Sequence, residues 1–357
     1  MMNDSEILIN QSIDKLSLKL GKLNLDDLNI SEYNKRYLKD YSNNLSFFMP
    51  LYHGLLEKTI NKLSKPIIES SFVDYGGGCG FLSFLAIELG FEKVIYNDIY
   101  QVSIDDVKVI SKALNLKIDY FVSGDVSQFI SFINENKIKV DHICSFDVLE
   151  HIYDLEGWFT EINEIKKPFS LCFMTSANAS NPIIHQKLKK IHYKAEYIGS
   201  NIQKGWKERD SNLPFLEIRK NIISENVTNV SQEKISTLAK NTRGLFGADI
   251  IKHAKEQLNT NSFKDKNKHP TNTCDPLTGN WAEHIIDIYT LRKKIENKNT
   301  SVQFTNSFYS YSDNRILNIP KFIMNFLIRM FGKQNLFFSP SYTLEVSYKQ
   351  DVFRVKK

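Results

Sequence analysis

At 357 residues, with 42% hydrophobic and 24% charged side chains, the chain has the balance of an ordinary globular protein, which excludes wholesale disorder and a small stapled module. Its 46 basic and 41 acidic residues leave a net charge of only +5, and no basic run with interleaved aromatics marks a phosphate backbone, so no nucleic-acid partner is expected. Four distant cysteines, Cys79, Cys144, Cys172 and Cys274, exclude a zinc or disulfide framework, and with neither a signal segment nor a spanning stretch the expected location is cytoplasmic.

Residues 1–63 read as a helical lead-in, because Ile7, Ile9, Ile13, Leu16 and Leu20 recur at three-to-four spacing. Between residues 64 and 177, short apolar runs alternate with amphipathic segments, the pattern of a parallel sheet with crossover helices. The predicted strands are Ser71–Tyr75, Lys93–Asn97, Asp119–Val122, Val140–Phe146 and Ser170–Thr175.

Regularity breaks over residues 178–280, where charged helical stretches at 186–197 and 232–240 alternate with polar loops. A break of that length within a compact domain reads as a helical insertion that covers the acceptor site. Residues 281–357 close the core: a helix at 282–296, a strand Val302–Ser310, a helical segment near 320–331 and a strand Tyr342–Tyr348. The fold class is therefore α/β, with a doubly wound, mostly parallel, seven-stranded sheet.

Asp74-Tyr75-Gly76-Gly77-Gly78-Cys79-Gly80 follows the first strand and precedes an amphipathic helix. Glycine there lets backbone approach a ligand closely, and the helix start offers free amides. The spacing is D-x-G-x-G-x-G. A dinucleotide fingerprint wants a glycine or alanine where Phe81 stands, which disfavours a nicotinamide oxidoreductase.

Asp98 closes the second strand at the carboxyl edge, where a carboxylate can accept both ribose hydroxyls, and Ile99 beside it can pack on adenine. Asp125 and Val126 follow the third strand, and Asp125 suits the adenine amino group; alone, each acid reads more readily as a helix cap than as a ligand. The fourth strand runs into Asp147-Val148-Leu149-Glu150-His151.

With these four segments in order, residues 71–175 resemble the class I S-adenosylmethionine-dependent methyltransferases. The resemblance implies S-adenosylmethionine as cofactor, a Rossmann-like core and an antiparallel terminal hairpin. It places Gly76 and Gly78 against the methionine portion, Asp98 on the ribose, Asp125 and Val126 beside the adenine, and Asp147 at the sulfonium end, with Asp74 orienting the turn. A fainter likeness is to bacterial enzymes of surface-glycan assembly.

Methyl transfer from a sulfonium is a direct displacement, so a hydroxyl acceptor adds the need for a base, and His151 at the sheet rim is the candidate. Glu150 reads as structural. The leading acceptor is a sugar, nucleotide-linked sugar or glycan; the alternatives are a small-molecule or quinone- and lipid-like hydroxyl, and a non-catalytic interaction protein that keeps the fold. No metal ligand is expected: His185 and His192 share a helical face with Glu196 but lie two turns apart, and a solvated face is the plainer reading.

Residues 272–281, bracketed by His269 and His284, could line a polar acceptor pocket. Trp206, Arg209 and Arg219 read either as sugar or phosphate contacts or as the insertion's own core. The apolar, basic segment Ile319–Phe331, with Lys321 and Arg329, has the character of a membrane-surface helix, but its place between two strands favours packing over membrane contact. Oligomeric state is not encoded in any pattern seen here.

Overall fold

A computed structural model describes residues 4–199, 212–260, 262–263, 269–311 and 315–350. Two compact units emerge: Met1–Leu149 with Glu156–Ser176 and Asp287–Lys357, and Glu150–Leu155 with Ala177–Ile286. Trp206 and Arg209 lie outside the described residues.

The chain opens with helices α1 (Asp4–Gly21), α2 (Glu32–Asn43) and α3 (Leu45–Lys62). Next come β1 (Ser71–Tyr75), α4 (Phe81–Leu89), β2 (Lys93–Asp98), α5 (Gln101–Ala113), β3 (Tyr120–Ser123), α6 (Val126–Glu135), β4 (His142–Phe146), α7 (Leu155–Ile162) and β5 (Phe169–Thr175). Helices α8 (Pro182–Tyr193), α9 (Phe215–Asn226), α10 (Gln232–Asn241) and α11 (Gly247–Thr260) belong to the second unit. The first unit then resumes with α12 (Ile288–Ile295), β6 (Thr300–Asn306), α13 (Arg315–Phe331) and β7 (Tyr342–Tyr348).

The seven strands form one sheet in the order β3-β2-β1-β4-β5-β7-β6, with β7 antiparallel to both neighbours. Helices cover both faces, which is why the inner strands are almost continuously apolar. Phe72, Val94, Tyr96, Cys144, Cys172 and Met174 share one face with buried residues of α1, α3, α4 and α5. On the other face Trp158 of α7 sits edge-on to Tyr75 at 5.4 Å and donates from Nε1 to its hydroxyl at 2.8 Å. All four cysteines are buried free thiols, three of them in apolar or glycine-rich runs where a thiol packs well.

The second unit has its own apolar centre, Leu216, Ile223, Ile235, Leu238, Ala239, Ile250 and Ala254 from α9, α10 and α11. Beside it Arg219 is fully buried: Nε donates to the Ala239 carbonyl at 2.8 Å and Nη2 pairs with Glu196, whose other oxygen accepts from Thr273 Oγ1 at 2.7 Å. Of the two readings open for Arg219, the core one holds.

Several expected boundaries and faces change. Helix α8 starts at Pro182 because Asn181 accepts from the amides of Ile183 and Ile184, and proline suits the first helical position. His192 and Glu196 are 1% and 3% exposed, so the expected solvated face is wrong; His192 is held between Thr271 Oγ1 at 3.1 Å and the Glu283 carbonyl at 2.8 Å.

Residues 282–287 are not helical. Glu283 has φ +62, the Ala282 amide donates to Thr273, and α12 begins only after Asp287 caps Tyr289 and Thr290. Strand β6 stops at Asn306, whose side chain donates to the carbonyls of Gly332 and Asn335. Helix α13 is the largest departure. Placement between two strands suggests packing, yet Ile316, Ile319, Phe322, Ile323, Phe326 and Met330 are 52–75% exposed, while Asn325 and Ile328 turn inward. Among the described residues no helix is long and apolar enough to cross a membrane.

Candidate functional site

The glycine turn joins β1 to α4 at the carboxyl edge of the sheet. Gly76 and Gly78 take φ +68 and +53, conformations that a residue with Cβ adopts at a cost. The surroundings of these glycines differ. A Cβ on Gly76 would lie 2.7 Å from Val148 and one on Gly77 2.5 Å from the Tyr96 ring, so these are packing glycines; one on Gly78 would meet nothing within 4 Å. Open space beside Gly78 is where a ligand can come against the backbone.

Asp98 ends β2 with only 6% exposure and spans the crevice: Oδ2 accepts from the Gly78 amide at 3.0 Å and Oδ1 from the Tyr100 amide at 2.9 Å. The Tyr96 hydroxyl donates to the Gly78 carbonyl at 2.5 Å, so both polar groups of Gly78 are held from β2. Ile99, next to Asp98, is 55% exposed. The second acid, Asp125, is the N-cap of α6 in a capping box with Gln128, Oδ1 accepting from Ser127 at 2.9 Å; the cap role is present, and the side chain is exposed. Val126 beneath it is 6% exposed.

Asp74 lies under the turn. At 2% exposure its Oδ2 accepts from the Ser83 amide at 2.9 Å and the Ser83 hydroxyl at 2.7 Å, tying β1 to the first turn of α4. Burial pushes its carboxyl up to about 7, the Ser83 bonds oppose this, and the Asp98 charge adds to it. Because this folded-state value lies above the ordinary 3.8, the contribution to stability is complete below about pH 4 and is lost as pH rises through about 7. Raising pH from 5.5 to 8 is therefore expected to cost about 2 kcal/mol at this residue. Urea unfolding at the two pH values measures it; a trend equally steep in Asp74→Asn assigns the loss elsewhere.

Asp147 follows β4 with φ +52, its amide donating to Met174 at 2.8 Å and its Oδ1 accepting from the Ser176 amide at 2.7 Å. Those bonds stitch the tips of β4 and β5 together, and Val148 rests against Gly76. The sequence reading overlooked Val148; no composition signal marks it.

Within the second unit His151 is half-buried, and its Nδ1 lies 2.9 Å from the Trp281 carbonyl. A carbonyl can only accept, so Nδ1 carries the proton of that contact. Trp281 stacks between His284, at 4.3 Å between ring centroids, and Tyr153, at 5.9 Å. Burial lowers His284 to about 4, so that ring is neutral near pH 7.

Polar side chains of residues 272–281 hold the turn and tie it to neighbouring segments. Asn272 exchanges two hydrogen bonds with Ile285, and Asp275 caps Leu277 and Thr278. Glu150, fully buried, His151 and Glu283 each bring a ligand-type atom within 4.8 Å of the other two, a donor set of the kind that divalent cations accept. Glu283 was invisible in sequence, where it lies 132 positions from His151 in an expected helix.

Residues 69–243 match a family described as a methyltransferase domain. A ubiquinone biosynthesis O-methyltransferase of Pelagibacter ubique is 28% identical over 119 residues, covering 33% of this chain and 47% of the relative. The match thus spans about half the length of that relative. Among solved structures, a plantazolicin methyltransferase in complex with a triazolic substrate analogue and S-adenosylhomocysteine is 10% identical, with 96% of this chain and 98% of that one covered at a TM-score of 0.40. A cyclopropane synthase of Mycobacterium tuberculosis is 18% identical, with 34% of this chain and 41% of that one covered at a TM-score of 0.28.

Proposed function

We propose, on the match of residues 69–243 to a methyltransferase domain, that this chain is a class I S-adenosylmethionine-dependent methyltransferase that methylates a hydroxyl of a small-molecule or glycan acceptor, with His151 as general base. S-adenosylmethionine, when bound, supplies a methyl group on a sulfonium, open to direct displacement. The proposed cofactor contacts are the backbone at Gly76 and Gly78, the Asp98 carboxylate for the ribose, and Ile99 and Val126 for the adenine faces. Asp125 takes the adenine amino group, Asp147 flanks the sulfonium end, and Asp74 holds the turn in shape. Open space at Gly78 beside Asp98 supports that assignment.

The observation that supports the hydroxyl reading is that His151 gives its Nδ1–H to the Trp281 carbonyl, which fixes the ring's orientation as a general base requires. Acceptor contacts are assigned to the second unit, which holds His151 and the Trp281 stack. Aromatic faces of this kind suit a sugar ring, and the leading acceptor is a sugar, nucleotide-linked sugar or glycan end. A quinone-like hydroxyl is the second reading, favoured by the name of the Pelagibacter relative.

Labelled methyl donor, incubated with extracts separated into glycans, lipids, metabolites, nucleic acids and proteins, distinguishes these. Label in sugars or glycans supports the first, label in a quinone-bearing lipid fraction the second, and label confined to protein or RNA removes both. Asp98→Ala is expected to weaken S-adenosylhomocysteine about 10- to 100-fold by calorimetry, since a charged acceptor of two hydroxyls is worth about 1.5–3 kcal/mol. Unchanged affinity in that variant would remove Asp98 from the cofactor site.

A further inference from the structure

Helix α13 presents an apolar stripe that, among the described residues, stays exposed. Ile316, Ile319, Ile323, Phe326 and Met330 recur at intervals of three and four, so they share one side of the helix, and Phe322 widens it. Each of these six side chains is at least half exposed, the extremes being Ile316 at 75% and Ile323 at 52%. An ordinary surface helix shows the reverse, with its apolar stripe toward the core and its charges outward. The inward side is secured differently: Ile328 is 1% exposed, and buried Asn325 accepts from the Tyr309 amide at 2.7 Å and donates to the Tyr309 carbonyl at 2.9 Å. That exchange seats the helix on the segment after β6, so the stripe faces outward by a specific hydrogen-bonded fit.

Charge selects among occupants. From residue 314 to residue 344 the chain holds Arg315, Lys321, Arg329 and Lys333 and no aspartate or glutamate. Arg329 lies over the Phe308 ring at 5.4 Å, a place where a cation keeps an apolar neighbour and a solvated head. A second copy docked stripe to stripe would bring cations toward cations with no acid in either helix to answer them. An anionic lipid surface answers both features, because its headgroups attract the cations while the aromatic and branched side chains enter the acyl boundary.

We propose that α13 is a membrane-surface helix that docks the protein on bilayers rich in anionic lipid. The inference is independent of the acceptor and of the role of His151, since every residue it uses lies in the first unit, on α13 or on the segments flanking it. It reverses the packing expected from sequence position alone, and it concerns attachment to one leaflet.

Co-sedimentation of the full chain with vesicles tests it, one set made of phosphatidylcholine with about 40% phosphatidylglycerol, which gives a strongly negative surface, and the other of phosphatidylcholine alone. The expected result is binding to the anionic vesicles that weakens as salt is raised, falls about fivefold for Lys321→Gln, and is lost in Phe322→Glu with Phe326→Glu. Both phenylalanines are exposed, so the variants should keep wild-type S-adenosylhomocysteine binding and thermal unfolding, which shows that the chain still folds. No sedimentation with either vesicle set overturns the proposal, as does equal binding to the uncharged set. So does a concentration-dependent dimer in sedimentation velocity that the double variant abolishes while vesicles leave the wild type unbound.

Discussion

His151→Ala is expected to lower kcat by about 10²- to 10⁴-fold, the usual worth of a positioned general base, while the affinity for S-adenosylhomocysteine stays unchanged. The split follows from the proposed roles: His151, whose Nδ1 donates to the Trp281 carbonyl, is assigned to the acceptor, whereas the proposed cofactor contacts come from the β1, β2, β3 and β4 tips. The nearby carboxylates of Glu150 and Glu283 provide a further discrimination. If His151 acts as a base, a chelator leaves the wild-type rate as it was. A rate abolished by chelation and restored by a divalent cation would make His151 a ligand, and the base assignment would fall.

Arg219→Met is expected to cost about 3–5 kcal/mol of stability, because it leaves the Glu196 carboxylate buried beside an apolar side chain. The Glu196 oxygens are committed to Arg219 and Thr273, and the guanidinium also satisfies the Ala239 carbonyl at the end of α10. Removing the cation therefore strands a charge and leaves the Ala239 carbonyl with the longer bond from the Thr242 hydroxyl at 3.3 Å. Pairing the change with Glu196→Leu should recover most of the loss, since a buried ion pair and a well-packed apolar pair are of similar worth. Thermal and urea unfolding of the two single variants and the double variant give the coupling. A single variant within about 1 kcal/mol of wild type would show that the pair lies in a wetter environment than its zero exposure implies.

Much of the core was readable from the chain because its signals are local. Runs such as Phe72-Val73 and Ile143-Cys144, each followed by an amphipathic segment, mark strands buried on both faces, and that period survives any tertiary arrangement. The glycine turn was equally plain, since positive φ at Gly76 and Gly78 is a property of the residue type. Boundaries were less exact wherever a side chain from afar decided them: Asn306 ends β6 through bonds to Gly332 and Asn335.

What the sequence by itself determined is thus the doubly wound sheet, the cofactor class and the order of acids along the strand tips, because backbone preference and hydrophobic period act over a few residues. Only the tertiary structure decided that Arg219 and Glu196 are core partners, that Glu283 lies near His151, and that the Trp281 carbonyl orients the His151 ring. Each joins residues more than 20 positions apart, where no local pattern carries information. The outward face of α13 belongs with them: its period shows a stripe, but which way a stripe turns depends on the hydrogen-bonded seat made by Asn325 and Tyr309.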